Sequence, residues 1–135
     1  MLETSRLLIK PLSYHQLIKY AKCDNSLEEE LNLKISPRTI SPELMEAIHQ
    51  TFLPQLKKRP SGHLFSTLWT AISKTEQKMV GDLCIVDEPN AKGEIEIGYG
   101  TYATFEGQGY MTEVVTGIVT IVRPNGYIVS QKSFC

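Results

Sequence analysis

Apolar residues change their spacing along this chain, and the changes mark its elements. "RLLIKPL" (Arg6 to Leu12) reads as a first strand ended by Pro11, which lacks the N–H a central strand needs. Ser13 is then a natural N-cap, and Tyr14, Leu17, Ile18 and Ala21 recur at helical spacing. "LEEELN" and "ISPRTISPE" carry weaker patterns, but Ser41-Pro42-Glu43 is a helix start, with Ser as cap and Pro at the first helical position. Leu44, Ile48, Thr51, Phe52 and Leu56 continue from it as one apolar stripe, and Pro54 puts the end of that helix in question.

The period then shortens. "GHLFSTLWTAIS" (Gly62 to Ser73) and "KMVGDLCIVD" (Lys78 to Asp87) mix alternation with β-branched and aromatic residues around the polar turn "KTEQ". After "EPNAKG", "EIEIGYGTY" (Glu94 to Tyr102) alternates cleanly, so the middle of the chain is expected to be a three-stranded antiparallel meander. Between Glu113 and Val122 nearly every residue is Val, Ile or Thr, which favours a strand. Met111, Val114, Val115, Ile118 and Val122 nevertheless fall on one helical face. Pro124-Asn125-Gly126 makes a turn, and "YIVS" (Tyr127 to Ser130) a short strand.

Composition narrows the classes. A chain of 135 residues, 41% hydrophobic, with 14 basic and 15 acidic side chains, fits one ordinary globular domain. It lacks the cationic surplus on which nucleic-acid backbone binding depends. The basic run Lys57 to Arg59 follows an expected helix, where cations offset the terminal carbonyls. No stretch reads as a membrane span, and Met1 to Lys10 is too charged for a signal peptide, so the expected location is the cytoplasm. Cys23, Cys84 and Cys135 lack the spacing of a disulfide framework or a zinc site, and Cys84 in "GDLCIV" reads as a small buried hydrophobe. His15, His49 and His63 are too irregularly spaced to imply a metal, and none is expected.

The chemistry concentrates in "TYATFEGQGYMTEVV" (Thr101 to Val115). A strand, a turn bearing Gly107 and Gly109, and a helix in that order would aim the helix's first N–H groups into open space, where they suit an anion such as a phosphate. Without Cβ atoms, the glycines would let a ligand approach the main chain. The competing reading is a turn and a helix cap with no ligand. The stretch has neither the G-x-G-x-x-G of a dinucleotide site nor the lysine of a P-loop.

"EIGYGTYATFEGQGYMTEVV" resembles the acetyl-coenzyme A signature of the GNAT family of N-acetyltransferases, in particular its branch of ribosomal-protein N-terminal acetyltransferases. That branch reads E-I-G-Y, a short gap, then [QR]-G-x-G-Y-[AGM]-T-E, and Glu96 to Glu113 match it without a gap. "LETSRLLIKPL" is similar to the branch's opening L-E-T-[ED]-R-L-x-L-R-P-L. The resemblance covers Leu2 to about Val122, with Asp24 to Pro60 matching only in pattern, and it favours the helix after Gly109. It implies an α/β (α+β) fold: a mixed, mostly antiparallel central sheet flanked by helices, the acyl-CoA N-acyltransferase fold, with coenzyme A in an opening where two central strands splay apart. It implies a cofactor site along Thr101, Tyr102, Phe105, Glu106, Gly107, Gln108, Gly109, Tyr110, Met111 and Thr112. The turn would hold the pyrophosphate, and the main chain of Thr101 and Tyr102 the pantetheine arm and acetyl carbonyl.

The implied reaction is acetyl transfer from acetyl-CoA to a primary amine by direct attack, with a tetrahedral intermediate and no metal. Glu96, at the position of the E-I-G-Y glutamate, is the candidate to orient or deprotonate the amine. Alternation puts Glu94 on the same face, about 7 Å away. Alternating glutamates also describe the solvated face of a strand. Glu113 would cap or pair near the helix start, and Tyr110 would pack beside the cofactor channel.

The resemblance has departures. Glu106 stands where the signature has Gln or Arg, and Ser5 where it has an acid. The family continues into a further strand, an N-x-x-S helix and later strands, whereas this chain stops at "PNGYIVSQKSFC", of which "SQKSF" is similar to the start of that helix. Residues 1–135 are thus expected to form a single GNAT-like domain lacking its last elements. Its partners would be acetyl-CoA and an amine acceptor, with no nucleic acid or membrane, and a homodimer would cover the exposed sheet edge. A second reading is a non-catalytic acyl-CoA-binding or dimerising remnant.

Overall fold

The computed structural model describes residues 2–35, 40–58, 67–85, 91–92, 94–102, 105–122 and 128–133. Six strands form one sheet in sequence order: β1 (Leu2–Glu3), β2 (Leu7–Pro11), β3 (Leu68–Ser73), β4 (Lys78–Ile85), β5 (Glu94–Thr101) and β6 (Ile128–Ser133). β1 to β5 pair antiparallel, which realises the expected meander, while β6 runs parallel to β5. The sheet is therefore mixed and mostly antiparallel, as the fold class requires.

Helices cover both faces. α1 (Tyr14–Lys22) starts at Ser13, whose Oγ accepts from the Gln16 amide while the Gln16 side chain accepts from the Ser13 amide. This reciprocal capping box satisfies two donors at the helix start. α2 (Ser26–Leu31) is short and follows without a side-chain cap. α3 (Pro42–Ala47) begins at the expected cap, with Ser41 Oγ accepting from the Leu44 amide. It runs on through a π-helical segment, Ile48–Phe52, into α4 (Leu53–Lys58). Pro54 therefore does not end the helix. The turn before it widens so that the Leu53 N–H reaches Ile48 O, and the missing donor of the proline is absorbed in that irregular stretch.

The choice between strand and helix after the glycines resolves as α5 (Tyr110–Val122). Its close seat on the sheet is marked by Gly117, where an added Cβ would lie 3.0 Å from Leu2 Cδ2, 3.1 Å from Thr4 Cγ2 and 3.5 Å from Ile9 Cδ1. Ile9 pairs with Ala71, and Ala71 with Gly81, so α5 covers the face those positions share. Asp82 lies one position on and points to the opposite face, where its side chain meets Tyr20 of α1. With helices on either side, all of β3 is buried, and Leu7, Ile9, Leu17, Leu68, Met79, Leu83, Val114 and Ile118 belong to one apolar core.

Some expectations are corrected or lie elsewhere. Ser130 to Ser133 belong to β6, so the segment likened to a helix start is strand. β6 pairs with β5 over six positions, Glu94↔Ile128 to Tyr99↔Ser133, a span that stops short of Thr101 and Tyr102, where the opening for coenzyme A is expected. The Pro124-Asn125-Gly126 turn, His63, Cys135 and most of "EPNAKG" are outside the described residues. Among the described residues no helix is long and apolar enough to cross a membrane, and no cluster of His, Cys, Asp or Glu could hold a metal ion.

Candidate functional site

The site is built where β5 ends and the chain turns to the other face of the sheet. Gly81↔Thr101 is the last antiparallel pair of β5, and the Tyr102 amide still donates to Val80 O at 3.0 Å. Val80 is the extra residue of a β-bulge, since Ala71 pairs with Gly81 and Ile72 with Met79. The Tyr102 carbonyl accepts from the Phe105 amide at 2.8 Å. The main-chain donor of Tyr102 expected to meet an acetyl carbonyl is thus spent inside the sheet. Its phenol donates to Asp82, as described below.

Phe105 and Tyr110 are buried and meet edge to face, with centroids 6.2 Å apart and planes at 68°. They fasten the two ends of a turn in which Glu106, Gly107, Gln108 and Gly109 are all exposed. Gly107 has φ +79° and Gly109 φ +75°, a region that L side chains rarely adopt. The backbone conformation itself therefore calls for both glycines. At Gly107 an added Cβ would meet nothing within 4 Å, so the space beside that peptide is open.

From this turn α5 sets off, its bond from the Glu113 amide to Gly109 O being 3.2 Å long. The amides of Tyr110, Met111 and Thr112 precede Glu113 and have no acceptor within the helix. Over thirteen residues the aligned peptide dipoles add partial positive charge at this end. Two glycines in the left-handed region, open space beside Gly107 and a helix start whose first amides have no acceptor within the helix make a cradle suited to a phosphate or diphosphate, so the residues present fit the pyrophosphate of coenzyme A.

One side of the cradle is held by the amino-terminal segment. Glu113 accepts from Thr4 Oγ1, from the Arg6 amide at 2.9 Å and from Arg6 Nε at 2.7 Å. Arg6 Nη1 donates to Gln108 O at 2.9 Å, and its guanidinium lies 4.5 Å from the Tyr110 ring centroid. Burial acts to raise the Glu113 carboxyl, but the bonds from Thr4, the Arg6 amide and the Arg6 guanidinium outweigh it and hold it below the usual range. The expected pairing of Glu113 is realised, and the two most distinctive sequence motifs are in contact through it.

On the other face lies a buried polar junction. Asp82, 4% exposed, accepts from Tyr20 OH at 2.5 Å and from Tyr102 OH at 2.9 Å, joining α1, β4 and the end of β5. Glu96 is in register with Ser130 of β6 and Glu94 with Ile128, at the third and first of the eight positions of β5 and so toward the end of the strand away from the glycine turn. Sequence reasoning placed the turn but missed Thr4, Arg6, Tyr20 and Asp82. A signal existed for Asp82, an acid inside the apolar run "GDLCIV", since Asp is rarely buried unless paired.

Residues 6–128 match the family model described as acetyltransferase (GNAT) domain. The uncharacterized N-acetyltransferase YjdG of Bacillus subtilis is 24% identical over 119 residues, spanning 88% of this chain and 70% of YjdG. A Salmonella typhimurium acetyltransferase described as modifying the N-terminal serine of ribosomal protein L7/L12 superposes with TM-score 0.57 at 16% identity, over 93% of this chain and 68% of its own. RimL, a ribosomal L7/L12 alpha-N-protein acetyltransferase solved with coenzyme A, gives 0.56 at 14% identity, over 93% of this chain and 71% of its own. A GNAT acetyltransferase from Bacillus anthracis gives 0.55 at 14% identity, over 96% and 71%. At these identities the likeness is one of fold.

Proposed function

The chain belongs to the acetyltransferase (GNAT) domain family, and from that premise we propose that it transfers an acetyl group from acetyl-CoA to a primary amine by direct attack. The observation that carries the reading is the left-handed pair Gly107 and Gly109 opening onto the start of α5, in a chain with this membership. Acetyl-CoA supplies an activated thioester acyl group. The peptides from Phe105 to Met111 hold its diphosphate, and Thr101, at the end of β5, is the main-chain contact for the acyl arm. Gln108 and Thr112, exposed on the rim, bound the same space. The acceptor amine is a protein N-terminus or a small-molecule amine.

The amine must lose its proton before it attacks, which costs little for an α-amino group of pKa about 7.7–8.0 and more for a lysine near 10.4. Glu96 is assigned to take or orient that proton, with Glu94 two positions away tuning it. Glu96→Gln is expected to lower kcat/KM about 100-fold and to flatten the acid limb of its pH profile. An unchanged profile would remove Glu96 from the mechanism. The transferase works in the cytoplasm without a metal, as one domain. It forms a homodimer through the sheet edge at β6, which sedimentation velocity would test.

Glu106, exposed in the glycine turn where the family signature has Gln or Arg, favours a second reading: an acyl-CoA-binding or dimerising member without catalysis. Calorimetry with acetyl-CoA, followed by thiol release with a panel of amines, separates the two. Binding with release supports the transferase, binding without release supports the second reading, and no binding sinks both as far as they involve acetyl-CoA.

A further inference from the structure

We infer that Arg6 is a positioning residue that sets the glycine turn for a diphosphate, an inference that rests on the cofactor reading above. Its own placement is unusually constrained. The Arg6 amide donates to Glu113 and its carbonyl accepts from the Lys74 amide at 2.9 Å. The preceding residues form a tight link, with the Thr4 amide on Leu7 O at 2.8 Å and the Leu7 amide on Thr4 Oγ1 at 3.2 Å. Lys74 Nζ adds a bond to Thr4 O at 2.7 Å. A side chain that is 44% exposed is thereby delivered from a fixed backbone.

Two consequences follow for the turn. Arg6 Nη1 holds the Gln108 carbonyl, which belongs to the peptide between Gln108 and Gly109. In a trans peptide C=O and N–H point in opposite directions, so drawing this carbonyl toward Arg6 aims the Gly109 amide away from it. Arg6 also offsets the charge of Glu113. A carboxylate in the first turn suits the helix dipole but would repel a second anion at the same helix start. Paired with Arg6 Nε at 2.7 Å, it stabilises α5 without closing the cradle to phosphate.

The test compares wild type, Arg6→Gln and Arg6→Lys, each as the full chain, by calorimetry with coenzyme A and with pantetheine, which has no diphosphate. Arg6→Gln is expected to weaken coenzyme A about tenfold and to leave pantetheine unchanged. Arg6→Lys should fall between, because it keeps the charge without the planar fork. Equal weakening of both ligands, or of neither, would overturn the proposal in favour of a purely structural ion pair. Should wild type fail to bind coenzyme A, the cofactor reading fails by itself, and amide NMR of the unliganded proteins still decides the positioning. A displaced, faster-exchanging Gly109 resonance in Arg6→Gln supports it, and an unmoved one overturns it. If Arg6→Gln does not fold, Arg6→Lys carries both measurements.

Discussion

Asp82 and Glu113 are both carboxylates that join distant parts of the chain next to the same turn, yet they are built on opposite terms. Asp82 is buried between α1 and the end of β5 and accepts from two neutral phenols. Glu113 sits at 18% exposure on α5 and accepts from a hydroxyl, an amide and a guanidinium. Out of water, a polar group depends wholly on its partners, and losing one strands the others. At the rim, solvent can replace what is lost, and the pair answers to pH and salt. Asp82 thus belongs to the permanent frame of the site, and Glu113 to its adjustable edge.

The largest effect should come from breaking the frame. Asp82→Ala leaves the Tyr20 and Tyr102 hydroxyls without their shared acceptor and opens a void, at a cost of about 3 kcal/mol in urea unfolding. Asp82→Asn keeps the shape and one carbonyl oxygen and should cost about half of that. Tyr20→Phe removes a single donor, about 1–2 kcal/mol. If Asp82→Ala proved milder than Glu113→Ala, the contrast drawn between buried and rim carboxylates would be inverted.

Next comes the pH dependence of the rim. The folded-state pKa of Glu113 lies below its ordinary value of 4.5, so the ionised form is the one that folding favours. Its contribution is fully present at neutral pH, shrinks as the pH falls below about 4.5 and is lost once the pH has passed through the folded value. The stability difference between wild type and Glu113→Gln should be about 1 kcal/mol at pH 7 and close upon acidification. A difference that stayed constant from pH 7 to pH 3 would show that the carboxylate's charge is not what holds the corner.

The same contrast explains what was legible in the sequence. Local rules found what local physics determines: the caps at Ser13 and Ser41, strands β3 to β5, and the glycine turn with its left-handed residues. The Arg6 to Glu113 contact bridges 107 positions, and no periodicity reports a contact at that range. Both residues lie in segments that carried the family resemblance, but a matched motif does not say which motifs touch. Pro54 left the helix end open because an isolated breaker can be absorbed by a π turn once packing of Ile48, Phe52 and Leu56 holds the helix in place. "SQKSF" misled because likeness over so few residues competes poorly with a parallel strand partner.

A third carboxylate supplies the limiting case. Glu106 lies in the same turn as the glycines but is exposed. Its replacement by Gln should change stability by less than about 0.5 kcal/mol, since no buried group depends on it. Its charge still stands beside the proposed diphosphate, so Glu106→Gln should tighten coenzyme A modestly at low salt, and the gain should fade near 0.15 M, where screening acts within about 8 Å. Persistence of the gain at high salt would mean that Glu106 contacts the ligand directly. Unchanged affinity even at low salt would take Glu106 out of the charge balance and leave Arg6 and Glu113 to set it alone.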